Sequence, residues 1–317
     1  MGKYLALRIL AAIPVLLGVL LLVFVLLRLI PGDPVEILFE GRGGAGIGNS
    51  RMNIGAVEQL RESYNLDKPV PVQFALYIFD MVRGDFGRSF QTNQQIGELI
   101  KELFPQTLQL TLAGMGVALV VGFVAGIVSA IRHHTWVDYV GQVIAVFGVS
   151  VPDFFFGLLM IWLFSITLGW MPAISGDSVL GLLMPAVTLG VSGAAIISRM
   201  TRSSMLDVMS RDFVRTARAK GLGERPVVIR HALKNALIPV ITIVGLQFGG
   251  LLTGAIVVEI VFTRQGLGFE LVEAVTRRNY PVIQALVMMA SLVYLVANIV
   301  VDVLYTYIDP RVRLQDG

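Results

Sequence analysis

The sequence predicts an all-α polytopic membrane protein with six transmembrane helices and a long extracytoplasmic segment after the first helix. Of its 317 residues, 55% are hydrophobic and only 15% are charged, whereas a soluble domain carries about 25% charged residues. The charges are missing from long apolar runs, and a run of about 20 apolar residues is enough to span a bilayer. Between these runs, Lys and Arg concentrate in a few loops, which is the pattern of cytoplasmic loops.

The first apolar run covers residues 9–27 and follows Lys3 and Arg8. It is longer than the apolar region of a secretory signal, and no small-residue cleavage site follows it, so we expect a retained helix. Residues 1–30 are therefore the N-terminal tail and first transmembrane helix. Residues 31–102 form the extracytoplasmic segment, where ten acidic residues outnumber seven basic ones. Within it, the amphipathic stretch 72–82 predicts a helix on the membrane surface.

The rest of the chain predicts a five-helix core over residues 103–317, with a cytoplasmic loop at 199–234. The segment 139–170 is interrupted by Pro152 and Asp153, so it forms either one bent span or two spans. One bent span places all strongly basic loops and both termini on one side, whereas two spans separate them. We therefore expect six spans with both termini cytoplasmic. The four uninterrupted apolar runs are 103–131, 178–198, 235–258 and 279–301.

The 199–234 loop holds nine basic residues against three acidic ones. Its centre, residues 212–223, predicts a short helix that is stopped by Gly221 and Gly223. A short helix of this kind suits the docking of a soluble partner, and the alternative is a solvated loop that contacts lipid phosphates. We predict no nucleic-acid partner, because Lys and Arg are expected in cytoplasmic loops for topological reasons.

Several kinds of chemistry are missing from the sequence. It contains no cysteine, no Gly-x-x-x-x-Gly-Lys-Ser/Thr phosphate loop and no His-Glu-x-x-His motif, so we expect neither a cofactor nor a metal in this chain. Adjacent His133 and His134 fit an interfacial polar turn better than a metal site. Three carboxylates lie at predicted helix ends or kinks in the membrane, namely Asp153, Glu259 and Asp302. Because such groups can relay protons, a proton-coupled secondary transporter remains an alternative.

Two motifs resemble the "EAA" loop of permease subunits in ATP-binding-cassette (ABC) importers. They are Arg-Thr-Ala-Arg-Ala-Lys-Gly at 215–221 and Leu-Lys-Asn-Ala-Leu-Ile-Pro at 233–239, both in the form typical of the dipeptide/oligopeptide/nickel branch. Arg215 stands where the Glu of Glu-Ala-Ala stands, and Lys234 where many members have proline. The long segment after the first helix resembles the B-type subunit of this branch. Further similar stretches are 30–34, 84–89, 266–268, 280–282 and 309–311.

The resemblance implies the type I ABC importer permease fold in a bacterial cytoplasmic membrane, with peptides or related small cargo. It implies a second permease subunit of the C type, two ATPase subunits that bind ATP and Mg, and an extracytoplasmic substrate-binding protein. The chain itself would be non-catalytic. A membrane scaffold or receptor without transport is the other alternative. The resemblance assigns ATPase coupling to Asp212, Phe213, Arg215, Thr216, Ala217, Arg218, Ala219, Lys220, Gly221, Leu222 and Gly223.

Overall fold

The computed structural model describes residues 2–29, 67–176 and 178–308. Within these ranges the regular secondary structure is helical, apart from one isolated antiparallel bridge between Arg88 and Gln95. The helices are α1 (Gly2–Leu29), α2 (Val70–Val82), α3 (Ile96–Ile131), α4 (Trp136–Ser150), α5 (Asp153–Met160), α6 (Val179–Met209), α7 (Asp212–Ala219), α8 (Lys234–Val261), α9 (Leu267–Thr276) and α10 (Tyr280–Ile308). A π-helical segment, Ile161–Thr167, extends α5, and a second one, Val227–Leu233, leads into α8.

Five helices of the described part are long and apolar enough to cross a membrane, and a bent pair brings the number to six. The bent pair consists of α4 and of α5 with its π-helical extension. The helix axis bends by 107° between these two parts. The break lies at Val151 and Pro152, because proline cannot donate the backbone hydrogen bond that would continue the helix. The sequence-based prediction of an interruption at Pro152 is therefore confirmed. The uninterrupted spans are Leu10–Leu29, Ile96–Ile131, Val179–Met209, Glu224–Val261 and Tyr280–Val301.

The chain divides into two compact units. The first comprises residues 1–105 and 269–295. In it, Phe24 of α1 packs against Phe74 and Tyr77 of α2, with ring centroids 5.2 and 6.1 Å apart. The amphipathic stretch 72–82, which the sequence predicts to be helical, lies in α2. The Gly-rich stretch 41–50 and the motifs at 30–34 and 309–311 lie outside the described residues.

An ordered turn in the same unit is held by one buried asparagine. Asn279 accepts a hydrogen bond from the Phe90 amide at 3.1 Å and donates one to the Ser89 hydroxyl at 2.8 Å. The Gln91 side chain donates to the Arg277 carbonyl at 2.9 Å. These contacts fix the 84–91 turn onto the connection between α9 and α10.

The second unit comprises residues 106–268 and 296–317, and small residues allow its helices to pack closely. A side chain at Gly122 or Gly126 of α3 would overlap the backbone of α6, with a Cβ only 2.8 or 2.6 Å from a carbonyl oxygen. Such close approach of backbones is the usual basis of helix association in membranes. On α8, Gly245 fits closely against Val301, whereas Gly250 faces open space.

Candidate coupling site

Helix α7 is a two-turn helix in the loop between the spans α6 and α8. It begins at Asp212, whose negative charge is favourable near the positive end of the helix dipole. It ends at Ala219, and Gly221 has φ +78°, a left-handed conformation that glycine adopts without steric cost. The Gly221 amide donates to the Arg218 carbonyl at 2.9 Å, and the Leu222 amide donates to the Ala217 carbonyl at 3.3 Å. The predicted glycine stop is thus present at Gly221.

One face of α7 packs on the permease itself. Val214 is fully buried and Ala217 is 6% exposed, and their i, i+3 spacing places both on the same side of the helix. They belong to a hydrophobic cluster of side chains from five elements. These elements are the end of α3, the end of α6, α7, the second π-helical segment and the start of α8. We call it the loop cluster, and its buried members are Ala130, Met205, Val208, Val214, Ala217, Val227, Val228, Ala232 and Ala236.

The opposite face of α7 is exposed and combines apolar with basic side chains. Phe213 of α7 and Leu222 in the turn that follows α7 are each 41% exposed. The other exposed residues of the predicted site are Asp212, Arg215, Thr216, Arg218, Ala219, Lys220, Gly221 and Gly223.

Two side chains of this face are held by local hydrogen bonds. The Arg218 guanidinium donates to both carboxylate oxygens of Glu224, at 2.8 and 3.2 Å, across the turn that follows α7. This exposed ion pair contributes about 0–1 kcal/mol to stability, but it fixes the direction of the guanidinium. The Thr216 hydroxyl donates to the Asp212 carbonyl at 2.9 Å, so this hydroxyl bonds to the backbone of its own helix.

The structure corrects the role that sequence reasoning gave to Ala217. The resemblance assigns both Ala217 and Ala219 to ATPase coupling, but only Ala219 is exposed. Ala217 contacts the loop cluster instead, so its small side chain allows α7 to lie close to its own chain. Val214 and Glu224 were not among the residues predicted from the sequence. The i, i+3 spacing of Val214 and Ala217 would have indicated a buried face, whereas nothing local indicated that Glu224 pairs with Arg218.

The return from α7 to α8 is π-helical over Val227–Leu233. Val227, Val228 and Ala232 of this segment belong to the loop cluster. A π-helical stretch is rare and is frequently found at functional sites. Through the loop cluster, α7 is connected to the start of α8.

The intramembrane carboxylates occupy structural positions in the described part of the chain. Glu259 is fully buried, accepts a hydrogen bond from the Thr107 hydroxyl at 2.6 Å, and accepts another from the Gly268 amide at 2.8 Å. It therefore caps the N-terminus of α9. Asp153 starts α5 and forms a hydrogen bond with Ser192 of α6. The Asp302 side chain lies outside the described part.

The two adjacent histidines form a polar turn. His133 and His134 are exposed, their ring centroids are 3.6 Å apart, and His134 has φ +62°. The described residues contain no group of three or more His, Asp or Glu side chains that could hold a metal ion. We assign the pair no chemical role.

The helices form a multi-span membrane fold with a short helix in one loop, and comparison with known proteins assigns it to the permease subunits of ABC transporters. Residues 122–314 match the family described as binding-protein-dependent transport system inner membrane component, and residues 1–111 match its N-terminal family. The chain therefore belongs to this family of multi-pass inner membrane proteins, and it is a permease subunit of a peptide-type ABC importer.

Relatives of this chain match it over nearly their full length. The glutathione transport system permease protein GsiC of Salmonella choleraesuis (strain SC-B67) is 44% identical over 99% of both chains. GsiC of Escherichia coli (strain K12) is 43% identical over the same shares.

Solved structures of ABC transporters share the fold at lower identity. A chain of the MetNI methionine ABC transporter in inward-facing conformations gives a TM-score of 0.58 at 17% identity, covering 67% of this chain and 96% of that one. A chain of an amino acid ABC transporter solved with histidines gives 0.53 at 14% identity, covering 66% and 94%. The similarity confirms the type I permease fold.

Proposed function

We propose that this chain forms half of a translocation path for glutathione or similarly small peptides and couples it to ATPase subunits through residues 211–223. The observation that carries the proposal is the two-sided character of α7. Its buried face packs in the loop cluster with the ends of α3 and α6 and the start of α8, whereas Phe213 on its exposed face and Leu222 in the turn after it lie among basic side chains. Such a helix transmits force from a soluble partner to the spans.

The partners follow from the same reasoning. A second permease subunit of the C type completes the path, two ATPase subunits bind ATP and Mg, and an extracytoplasmic binding protein delivers the cargo. The chain itself requires no cofactor, and its sequence contains no phosphate loop. Both termini and the 199–234 loop face the cytoplasm. The cargo class is supported by the 44% identity to a glutathione permease.

Reconstitution of the complete complex in proteoliposomes tests this proposal. We expect uptake of labelled glutathione or dipeptides that requires the binding protein outside and ATP on the side of the ATPases. Dissipation of the proton gradient should leave that uptake intact. Uptake driven by a proton gradient without ATP would favour the secondary transporter, and binding of the partners without any uptake would favour the scaffold.

A further inference from the structure

A buried carboxylate outside the coupling helix connects three helix ends in the second unit. Asp138, in the first turn of α4, is 1% exposed. Its Oδ1 and Oδ2 accept hydrogen bonds from Nε and Nη2 of Arg202 on α6, at 2.7 and 2.8 Å. The Ser129 hydroxyl, near the end of α3, donates to the same carboxylate. Further donors are the His134 amide and the Gln142 side chain, each at 3.2 Å.

This network adjoins the anchor of the coupling helix. Arg202 precedes the end of α6 at Met209 by seven residues, which is about 10 Å along a helix. In that interval, Met205 and Val208 belong to the loop cluster that holds α7. Ser129 is adjacent to Ala130, which belongs to the same cluster. The ends of α3 and α6 therefore hold α7 by apolar packing and α4 by a network of charged hydrogen bonds.

The two attachments differ in how they respond to a displacement. Apolar contacts are non-directional, so packed helices can slide by small amounts. A two-pronged contact between an arginine and a carboxylate fixes both distance and orientation. Separation of this pair would leave the buried Asp138 carboxylate without its compensating charge, which is strongly unfavourable. Because of this pair, α4 moves together with α6 when the loop cluster is displaced.

We propose that the Asp138–Arg202 pair is the junction that carries displacement of α7 to the third span, formed by α4 and α5. The proposal rests on the function proposed above and extends it beyond the 211–223 loop. Both side chains are positioning residues, and the junction acts by keeping α4 and α6 in one rigid body throughout the transport cycle.

The first experiment measures cargo transported per ATP hydrolysed in the reconstituted complex. Asp138→Asn removes one charge with little change in shape, and Arg202→Gln removes the other charge together with the guanidinium. Arg202→Lys keeps the charge without the two-pronged geometry. We expect all three variants to bind the ATPases and to hydrolyse ATP, with the cargo-to-ATP ratio lowered at least about tenfold. Arg277→Gln breaks an exposed i, i+4 pair with Glu273 and serves as the matched control, with an expected change within about twofold.

The second experiment follows the junction directly. The chain has no cysteine, so spin labels at Trp136→Cys on α4 and Arg199→Cys on α6, both exposed, would be the only two on this subunit. In the otherwise unchanged complex, we expect the same label-to-label distance with and without bound ATP. With Asp138→Asn, the distance should differ between the two states or its distribution should broaden.

A nucleotide-dependent distance in the unchanged complex would overturn the proposal, because α4 and α6 would then move separately. An unchanged cargo-to-ATP ratio in Asp138→Asn and Arg202→Gln would overturn it as well. If a variant fails to assemble, Arg202→Lys and the label pair in the unchanged complex still decide the question. Absence of ATP-driven uptake in the unchanged complex would instead contradict the proposed function, while the label distance would still report on the junction.

Discussion

Gly221 shows how one residue sets the geometry of the loop. With φ +78°, it turns the chain out of α7 and allows its own amide to bond the Arg218 carbonyl. The space around it is open, since a Cβ there would meet no atom within 4 Å. The requirement for glycine is therefore one of backbone conformation and not of packing.

Substitutions at Gly221 should follow this conformational requirement. Asparagine adopts the left-handed region readily, alanine does so at a cost of about 1–2 kcal/mol, and proline is fixed near φ −65° and has no amide hydrogen. We expect uptake and cargo-stimulated ATP hydrolysis to decrease in the order Gly, Asn, Ala, Pro. Gly221→Pro should still insert into the membrane but be uncoupled. Equal activity of Gly221→Pro and the parent would contradict the role of this turn.

The position of helix α7 is determined by the difference in burial between its two faces. Val214 and Ala217 fasten it to the loop cluster, and the residues between them are exposed. The pattern explains why a helix of only eight residues, too short to be stable alone in water, has a defined position.

Ala217→Asp and Ala219→Asp place the same new charge on the two faces of α7. At Ala217 the carboxylate would be buried in an apolar cluster without a partner, at a cost of several kcal/mol, so α7 should detach. At Ala219 it would be exposed. We expect chymotrypsin to cleave after Phe213 much faster in Ala217→Asp than in the parent, with loss of cargo-stimulated ATP hydrolysis, whereas Ala219→Asp should resist cleavage like the parent. Equal protection of both variants would show that Ala217 is not an anchor.

The sequence predicted features that depend on one residue, but it did not predict contacts between residues that are distant along the chain. The stop at Gly221 and the break at Pro152 were predictable, because each depends on the backbone properties of one residue. The hydrogen-bond partners of Asp138 and Glu259 could not be predicted, because they are distant along the chain. Arg202 is 64 residues from Asp138, and Thr107 is 152 residues from Glu259. The available signal was a single acidic residue close to the end of an apolar helix, and such a signal does not identify a partner.

At the scale of the whole molecule, the number of spans depends on the bent pair α4–α5. A bend of 107° is compatible with one crossing or with a segment that returns to the side from which it entered. Charge favours one crossing, because it places Arg132 and the basic 199–234 loop on the same face. A segment that returns, or two separate crossings, would place them on opposite faces.

Single cysteines can decide this topology, because the parent chain contains none. We expect cysteines at His133 and Gly223 to react with an impermeant maleimide from the same side of the membrane, and a cysteine at Gly48, in the predicted extracytoplasmic segment, to react from the other side. Labelling after permeabilisation gives the total for each variant and controls for differences in reactivity. Labelling of Gly48 and Gly223 from one side would contradict six spans. Opposite labelling of His133 and Gly223 would show that the bent pair does not cross once, and the 199–234 loop would then lie on the wrong face for the partner that α7 requires.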